Sequence, residues 1–345
     1  MQKKRTSLKD IAEKAGVSTA LVSYVMNGKE NRVSAGIASK IKEIASELNY
    51  QPNHLAKSLR SGKTFTIGLI IADISNPFFA NIARVVEDEA KKSGYTVIIG
   101  SSDENAVKSW DLLNVLVNRQ VDGFIIVSEE GSERNVHFLK EKKIPFILLD
   151  RHFPDIQTDF VVTNNFKASY DATTHLLRNG YSRIGMIAYD SDMFHTLERI
   201  RGYHLALKEK GISLPRDCVK RVPFKDMDAR VKAEIDMLMK GDNPIDALIF
   251  ATYGLAVNGL KYINEKKIRV PEDLAIVSYG QAEGFDLYYC PISYIRQPLE
   301  QLGKTAVEML IARLNNPDEG MKQLFMEARL VDRDSSVLKA TVLNI

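Results

Sequence analysis

Apolar residues recur along this chain with two different periods. Over the first sixty residues the spacing is helical: Leu8, Ile11, Ala12 and Ala15 share one face, Gly16 stops the run, and Ser18 stands where it caps a second helix carrying Leu21, Val22, Val25 and Met26. Gly28 ends that helix. Ser34 then caps a third, whose Ile37, Ile41, Ile44, Ala45 and Leu48 form an apolar stripe that stops before Pro52. Three helices with a tight glycine-containing turn between the first two make the helix-turn-helix pattern.

From Phe65 the period changes. Short β-branched runs alternate with amphipathic stretches: Thr66–Ala72, Ala80–Ser93, Thr96–Gly100, Ala106–Arg119, Gly123–Val127, Val136–Lys142 and Pro145–Leu149. A second series repeats the alternation: strand Arg183–Tyr189, helix Thr196–Glu209, a strand near Lys220–Val222, helix Ala229–Met239, strand Ala247–Ala251, helix Leu255–Glu265 and strand Leu274–Ser278. Alternation of this kind predicts parallel strands with helices on both faces. Two α/β lobes are laid end to end, and the cleft outside the carboxyl ends of their strands is the expected binding site.

Composition narrows the class. The chain has 345 residues, 45% apolar and 26% charged, which suits two or three folded domains and excludes disordered or fibrous chains. Cys218 and Cys290 show no CxxC spacing and no neighbouring His/Cys cluster, so neither a metal site nor a disulfide framework is expected. The longest apolar runs, such as Ile67–Ala72 and Phe146–Leu149, are strand-sized, and no apolar core of a secretory signal follows Lys3, Lys4 and Arg5. No membrane span and a cytoplasmic location are the expectation.

The net charge of +3 conceals an asymmetry. Residues 1–62 hold 11 Lys/Arg against 5 Asp/Glu, a balance of +6, and the remainder holds 36 against 39, a balance of −3. A small basic module on a slightly acidic body is the electrostatic footprint of a polyanion-binding protein. Enzyme signatures are missing. The GKT triplets at Gly62–Thr64 and Gly303–Thr305 lack the preceding glycine of a phosphate-cradling loop, having Lys57 and Pro298 there. GxGxxG, HExxH and GxSxG do not occur, so an enzyme and a bound cofactor are not expected.

The segment SLKDIAEKAGVSTALVSYVMNG (Ser7–Gly28), VS at Val33–Ser34 and LNYQPN at Leu48–Asn53 resemble the LacI/GalR family of transcription regulators. HLAKSLRSG, IGLIIADISNPFF, GYTVIIG, VDGFIIV, HLLRNGYSRIGMI, RIRGY and VPEDLAIVSYG follow in the family's order. The resemblance implies an N-terminal all-α helix-turn-helix DNA-binding domain (1–52), a hinge helix (53–63) and an α/β two-lobed type I periplasmic-binding-protein-like domain with parallel sheets (64–345). The first lobe is expected at about 64–161 plus 292–322 and the second at 162–291 plus 323–345. It also implies a homodimer on a pseudo-palindromic double-stranded DNA operator, with one recognition helix per half-site. Carried over residue by residue, the DNA contacts are Leu8, Ser18, Thr19, Ala20, Ser23, Tyr24, Asn27, Arg32, Ser34, Asn53, Lys57 and Leu59. Leu59 would act as the minor-groove wedge, with the small Ala56 one turn earlier. Tyr24 stands where the family usually has arginine, and Leu21 where threonine is common, so the half-site sequence does not transfer from relatives.

Positions matching the family's effector contacts are Asp73, Asn76, Phe78, Phe79, Asp150, Arg151, His195, Arg199, Phe224, Tyr253 and Gln281. The chain carries Thr252-Tyr253 and Gly280-Gln281 where the family commonly has Asn-Asp and an Asp. Retained arginines with lost acidic groups predict a pocket more cationic than usual and an anionic effector, such as a sugar phosphate or sugar acid. The leading expectation is a repressor controlled by a small sugar-like effector. A regulator answering to a partner protein, a soluble sugar-binding receptor with no DNA role and an enzyme working in the cleft are the alternatives.

Overall fold

The structure is a computed structural model and describes residues 6–26, 28, 32–50, 63–212, 218–240, 243–281 and 283–337. The chain divides into two compact units, 1–64 and 65–345.

The small unit holds α1 (Leu8–Ala15), α2 (Thr19–Met26) and α3 (Ala35–Glu47). Ser7 and Asp10 form a reciprocal capping box that starts α1, and Gly16, at φ +72°, ends it in the left-handed conformation. Ile11, Val22 and Ile41 are fully buried at the meeting of the three helices. Ile37, expected in the apolar stripe of α3, is exposed; the buried face runs instead through Ala38, Ile41, Ile44 and Ala45. At 100° per residue Ile37 falls within the same arc as these four, so angle does not expose it; it stands in the first turn of the helix.

The large unit contains two six-stranded sheets. The first is built from β1 (Thr66–Ile71), β2 (Thr96–Ser101), β3 (Gly123–Ile126), β4 (Phe146–Leu149), β5 (Phe160–Thr163) and β11 (Gln323–Met326), in the order β11-β5-β4-β3-β1-β2 with every pair parallel. Between its strands run α4 (Pro77–Lys92), α5 (Ala106–Asn118) and α6 (Glu133–Glu141). The second sheet is built from β6 (Ile184–Tyr189), β7 (Val219–Val222), β8 (Ala247–Phe250), β9 (Ala275–Tyr279), β10 (Ser293–Arg296) and β12 (Arg329–Val331), in the order β12-β10-β9-β8-β6-β7. Here β12 alone is antiparallel to its neighbour. Its helices are α7 (Asn165–Arg178), α8 (Phe194–Glu209), α9 (Met227–Met239) and α10 (Tyr253–Glu265), while α11 (Leu299–Asn315) returns to pack in the core of the first lobe. The inner strands of both sheets read as continuous apolar runs because helices cover both faces.

The chain passes between the lobes three times, at residues other than those expected. The first lobe keeps β5 to Thr163, past the expected 161. Residues 293–296 pair with β9 and belong to the second sheet, not the first. Residues 323–326 pair with β5 and belong to the first sheet, not the second. A strand of four residues carries no mark of which sheet it will join, and only the register of its hydrogen-bond partner decides.

Candidate functional site

The small unit presents one helix face. Val22 and Val25 turn α2 toward the core, which leaves Ser18, Thr19 and Ala20 exposed and Ser23 and Tyr24 half-buried on successive turns of the other side. The Ser18 hydroxyl accepts from the Leu21 amide at 3.3 Å and caps the helix. Arg32 is exposed, and its guanidinium carbon lies 5.5 Å from the centre of the Tyr24 ring. Ser34 stands at the N-cap of α3, but its hydroxyl makes no capping bond. Leu8 is half-buried against the three-helix core, so its main contact is packing. Asn27, Asn53, Ala56, Lys57 and Leu59 lie outside the described residues.

The large unit carries a cleft at the carboxyl ends of the strands of both sheets. Ten of the eleven expected residues line it: Asp73, Asn76, Phe78, Phe79, Asp150, Arg151, His195, Arg199, Phe224 and Tyr253. Gln281 does not. It is exposed, because Gly280, at φ +85°, turns the chain so that Tyr279 and the Gly280 backbone face the cleft. Sequence reading missed Glu104, Tyr189, Thr252, Tyr279 and Gln297. Each lies at or just beyond the end of a strand, so the strand-end rule would have found Glu104 after β2 and Tyr189 closing β6. Gln297 escaped because β10 was not recognised.

Backbone geometry fixes the polar centre of the cleft. Asp150 adopts φ +66° directly after β4, and the Arg151 amide donates to the Leu149 carbonyl at 2.8 Å, a tight reversal that turns both side chains out of the strand. Asp103 and Glu104, at φ +55° and +54°, make the corresponding turn after β2. Arg151 Nη1 and Nη2 donate to the two Glu104 carboxylate oxygens at 2.7 and 2.6 Å, and Arg151 Nε lies 3.8 Å from Asp150. Burial opposes the Arg151 charge; Glu104, Asp150 and Glu129 overcome it and raise its pKa above the ordinary arginine value. Burial pushes the Asp150 carboxyl above the usual carboxylate range against the pull of Arg151 and Arg199.

Arg199 reaches the cleft from the second lobe. Its Nε donates to Asn165 Oδ1 at 2.8 Å and its Nη1 to the Ala251 carbonyl at 2.7 Å, with the guanidinium 3.9 Å above the Tyr279 ring. Burial lowers its pKa, yet a guanidinium remains charged at neutral pH. Asp73 accepts from the Ser75 amide and hydroxyl, and the Asn76 side chain caps α4 by accepting from the Phe78 amide at 3.0 Å. His195 is held neutral, its pKa well below 6.5, first by burial and then by both arginines; its Nδ1 has no partner.

This geometry corrects the expected charge. Asp73, Glu104 and Asp150 set three carboxylates against Arg151 and Arg199, so the lining is not cationic. Glu104 supplies the acidic group whose loss at other positions had suggested an excess of positive charge.

Among the described residues, no helix is long and apolar enough to cross a membrane, and no group of three or more His, Cys, Asp or Glu is placed to hold a metal ion. A helix-turn-helix unit followed by a two-lobed α/β body with a cleft between its sheets defines a DNA-binding regulator of the type that carries a periplasmic-binding-protein-like domain. Residues 7–53 match the family model of bacterial regulatory proteins, lacI family, and residues 173–336 match that of the periplasmic binding protein-like domain. The chain is 31% identical over 330 residues to the HTH-type transcriptional repressor PurR of Aliivibrio salmonicida, covering 95% of this chain and 98% of that protein. It is 33% identical over 329 residues to the ribose operon repressor of Haemophilus influenzae, with the same two coverages. The solved complex of the transcriptional regulator CelR with cellobiose superposes with a TM-score of 0.71 at 26% identity, covering 96% of this chain and 100% of that one. The chain belongs to the lacI family and is a DNA-binding transcriptional repressor.

Proposed function

We propose that this repressor binds a pseudo-palindromic operator as a homodimer in the cytoplasm, and that a compact, uncharged polyhydroxyl metabolite in the cleft sets its affinity for that operator. It works by binding, without turnover of the metabolite. On this reading the outer face of α2 enters the major groove, where Thr19, Ala20 and Tyr24 meet base edges while Ser18, Ser23, Arg32 and Ser34 meet phosphates. On the same resemblance Asn27, Asn53 and Lys57 meet phosphates or bases, and Leu59 is the minor-groove wedge.

The observation that carries the effector reading is the pairing of functional groups across the cleft. Asp150, with a buried Oδ1 that has no partner, comes from the first lobe, and Arg199 comes from the second. A ligand hydroxyl donates to the first and accepts from the second, so a polyol spans the two lobes while aromatic residues such as Phe78 and Phe224 cover its apolar faces. The cellobiose bound by CelR and the ribose operon named for the Haemophilus influenzae repressor point to the same class of compound. The cleft encloses about 60 Å³, well under the roughly 300–1,000 Å³ of ordinary ligand sites, so the lobes must part to admit a sugar.

The test is selection of bound DNA from a random pool by the full chain, with and without a panel of neutral sugars and polyols. The reading expects an inverted-repeat consensus whose recovery changes with one of these compounds. An enriched site with no symmetry would overturn the dimer; a consensus unaffected by every compound would overturn the effector.

A further inference from the structure

Arg151 is the cleft cation that charge alone would assign to a phosphate or carboxylate on a ligand, and its fork is already filled. Both terminal nitrogens are taken by Glu104, with Arg151 Nη1 also 3.4 Å from the Ser128 carbonyl. The pair is largely out of water, with side-chain exposures of 10% for Arg151 and 19% for Glu104. It is also set by the backbone at both ends: the Glu104 amide donates to the Ala72 carbonyl at 2.9 Å within its left-handed turn, and Arg151 follows the left-handed Asp150. An incoming carboxylate would exchange one charge-assisted bidentate pair for another. It would also strand Glu104 in a cleft that already holds Asp73 and Asp150. The exchange gains nothing and adds like-charge repulsion. Arg199 offers no second fork, since Nε and Nη1 serve Asn165 and Ala251 and its face is on Tyr279, which leaves Nη2 as a single donor suited to a hydroxyl.

We infer that Glu104 is a specificity-determining residue, a resident carboxylate that occupies Arg151 and so excludes phosphorylated and carboxylated ligands in favour of uncharged ones. The inference rests on the cleft being the effector site.

The probe is inorganic phosphate, titrated by calorimetry into the full-length protein, into Glu104→Gln and into Glu104→Gln combined with Arg151→Gln. Releasing the fork frees one or two charge-assisted hydrogen bonds, so Glu104→Gln binds phosphate at least about tenfold more tightly than the unaltered chain. The second substitution abolishes the gain, which separates the cleft from the basic small unit. Glu104→Asp keeps the negative charge while withdrawing it by one methylene, gives a smaller gain, and carries the measurement if Glu104→Gln fails to fold. Equal phosphate affinity in the unaltered chain and in the folded variant, or a gain that survives loss of Arg151, overturns the inference. This titration reads only whether Arg151 is free. Its failure therefore leaves the effector reading standing, just as a sugar panel without effect on the operator leaves the phosphate result standing.

Discussion

At the residue scale, function turns on a few side chains whose surroundings change their ordinary behaviour. Tyr24 offers a ring and one hydroxyl at a position facing away from the small core. Replacing it with alanine is expected to cost about 1–3 kcal/mol of discrimination at one base pair per half-site, while binding to unrelated DNA, carried by phosphate contacts, hardly changes. Competition between the selected operator and single-base variants measures the difference. His152 gives a pH prediction. It is buried between Phe160, stacked at 4.1 Å, and Phe194, and burial depresses its pKa to about 4 from 6.5. Above pH 6.5 neither folded nor unfolded chain protonates it. Between 6.5 and 4 only the unfolded chain does, so stability falls as pH falls through that window. His152→Phe keeps the stack and removes the proton. The stability of the unaltered chain relative to this variant should therefore drop by about 1.4 kcal/mol between pH 7.5 and 5.5, read by denaturant titration at the two pH values. An unchanged difference would mean that the ring is solvated in the folded protein.

At the element scale, close helix packing holds the second lobe around its half of the cleft. A Cβ at Gly202 of α8 would stand 2.2 Å from the Phe166 carbonyl oxygen and 2.9 Å from the Tyr170 amide nitrogen of α7. The obstacle is backbone, which has no rotamer to move. Gly202→Ala should destabilise the large unit by about 3 kcal/mol or more, lowering its denaturation midpoint without shifting the melting of the three-helix unit. Arg199 sits one turn before this contact and Asn165 begins the facing helix, so the same packing sets the cleft donor in place. The sequence periods identified the three small helices and most of the alternating elements. They passed over β5, α7, β10, α11, β11 and β12. Short edge strands such as Arg329–Val331 and Gln323–Met326 are exposed or half-buried along much of their length, and without a buried alternation they leave little mark in a sequence.

At the scale of the whole molecule, the proposed effector acts by preferring one arrangement of the lobes over another. The metabolite that answers the sugar panel should change operator affinity by about 5–150-fold, and operator DNA should change metabolite affinity by the same factor. Calorimetry with and without operator measures both sides. Arg199→Lys, which keeps the charge and loses the fork, should raise the metabolite concentration needed by about tenfold or more, with operator affinity in its absence unaltered. A mutant losing both together would place Arg199 in the stability of the fold and outside effector recognition.

The sequence by itself determined the helix-turn-helix, the alternation that makes two parallel sheets, the concentration of positive charge at one end and ten of the residues that line the cleft. The first two follow from local rules of period, capping and glycine stops, the third from the count of charges, and the cleft residues from the resemblance to the LacI/GalR family. Tertiary structure decided which sheet each late strand joins, that Gln281 points away, and that Glu104, 47 residues before Arg151, holds it in a bidentate pair. The sign of a pocket depends on which charges meet in space, and the count of arginines along a chain contains no term for that meeting.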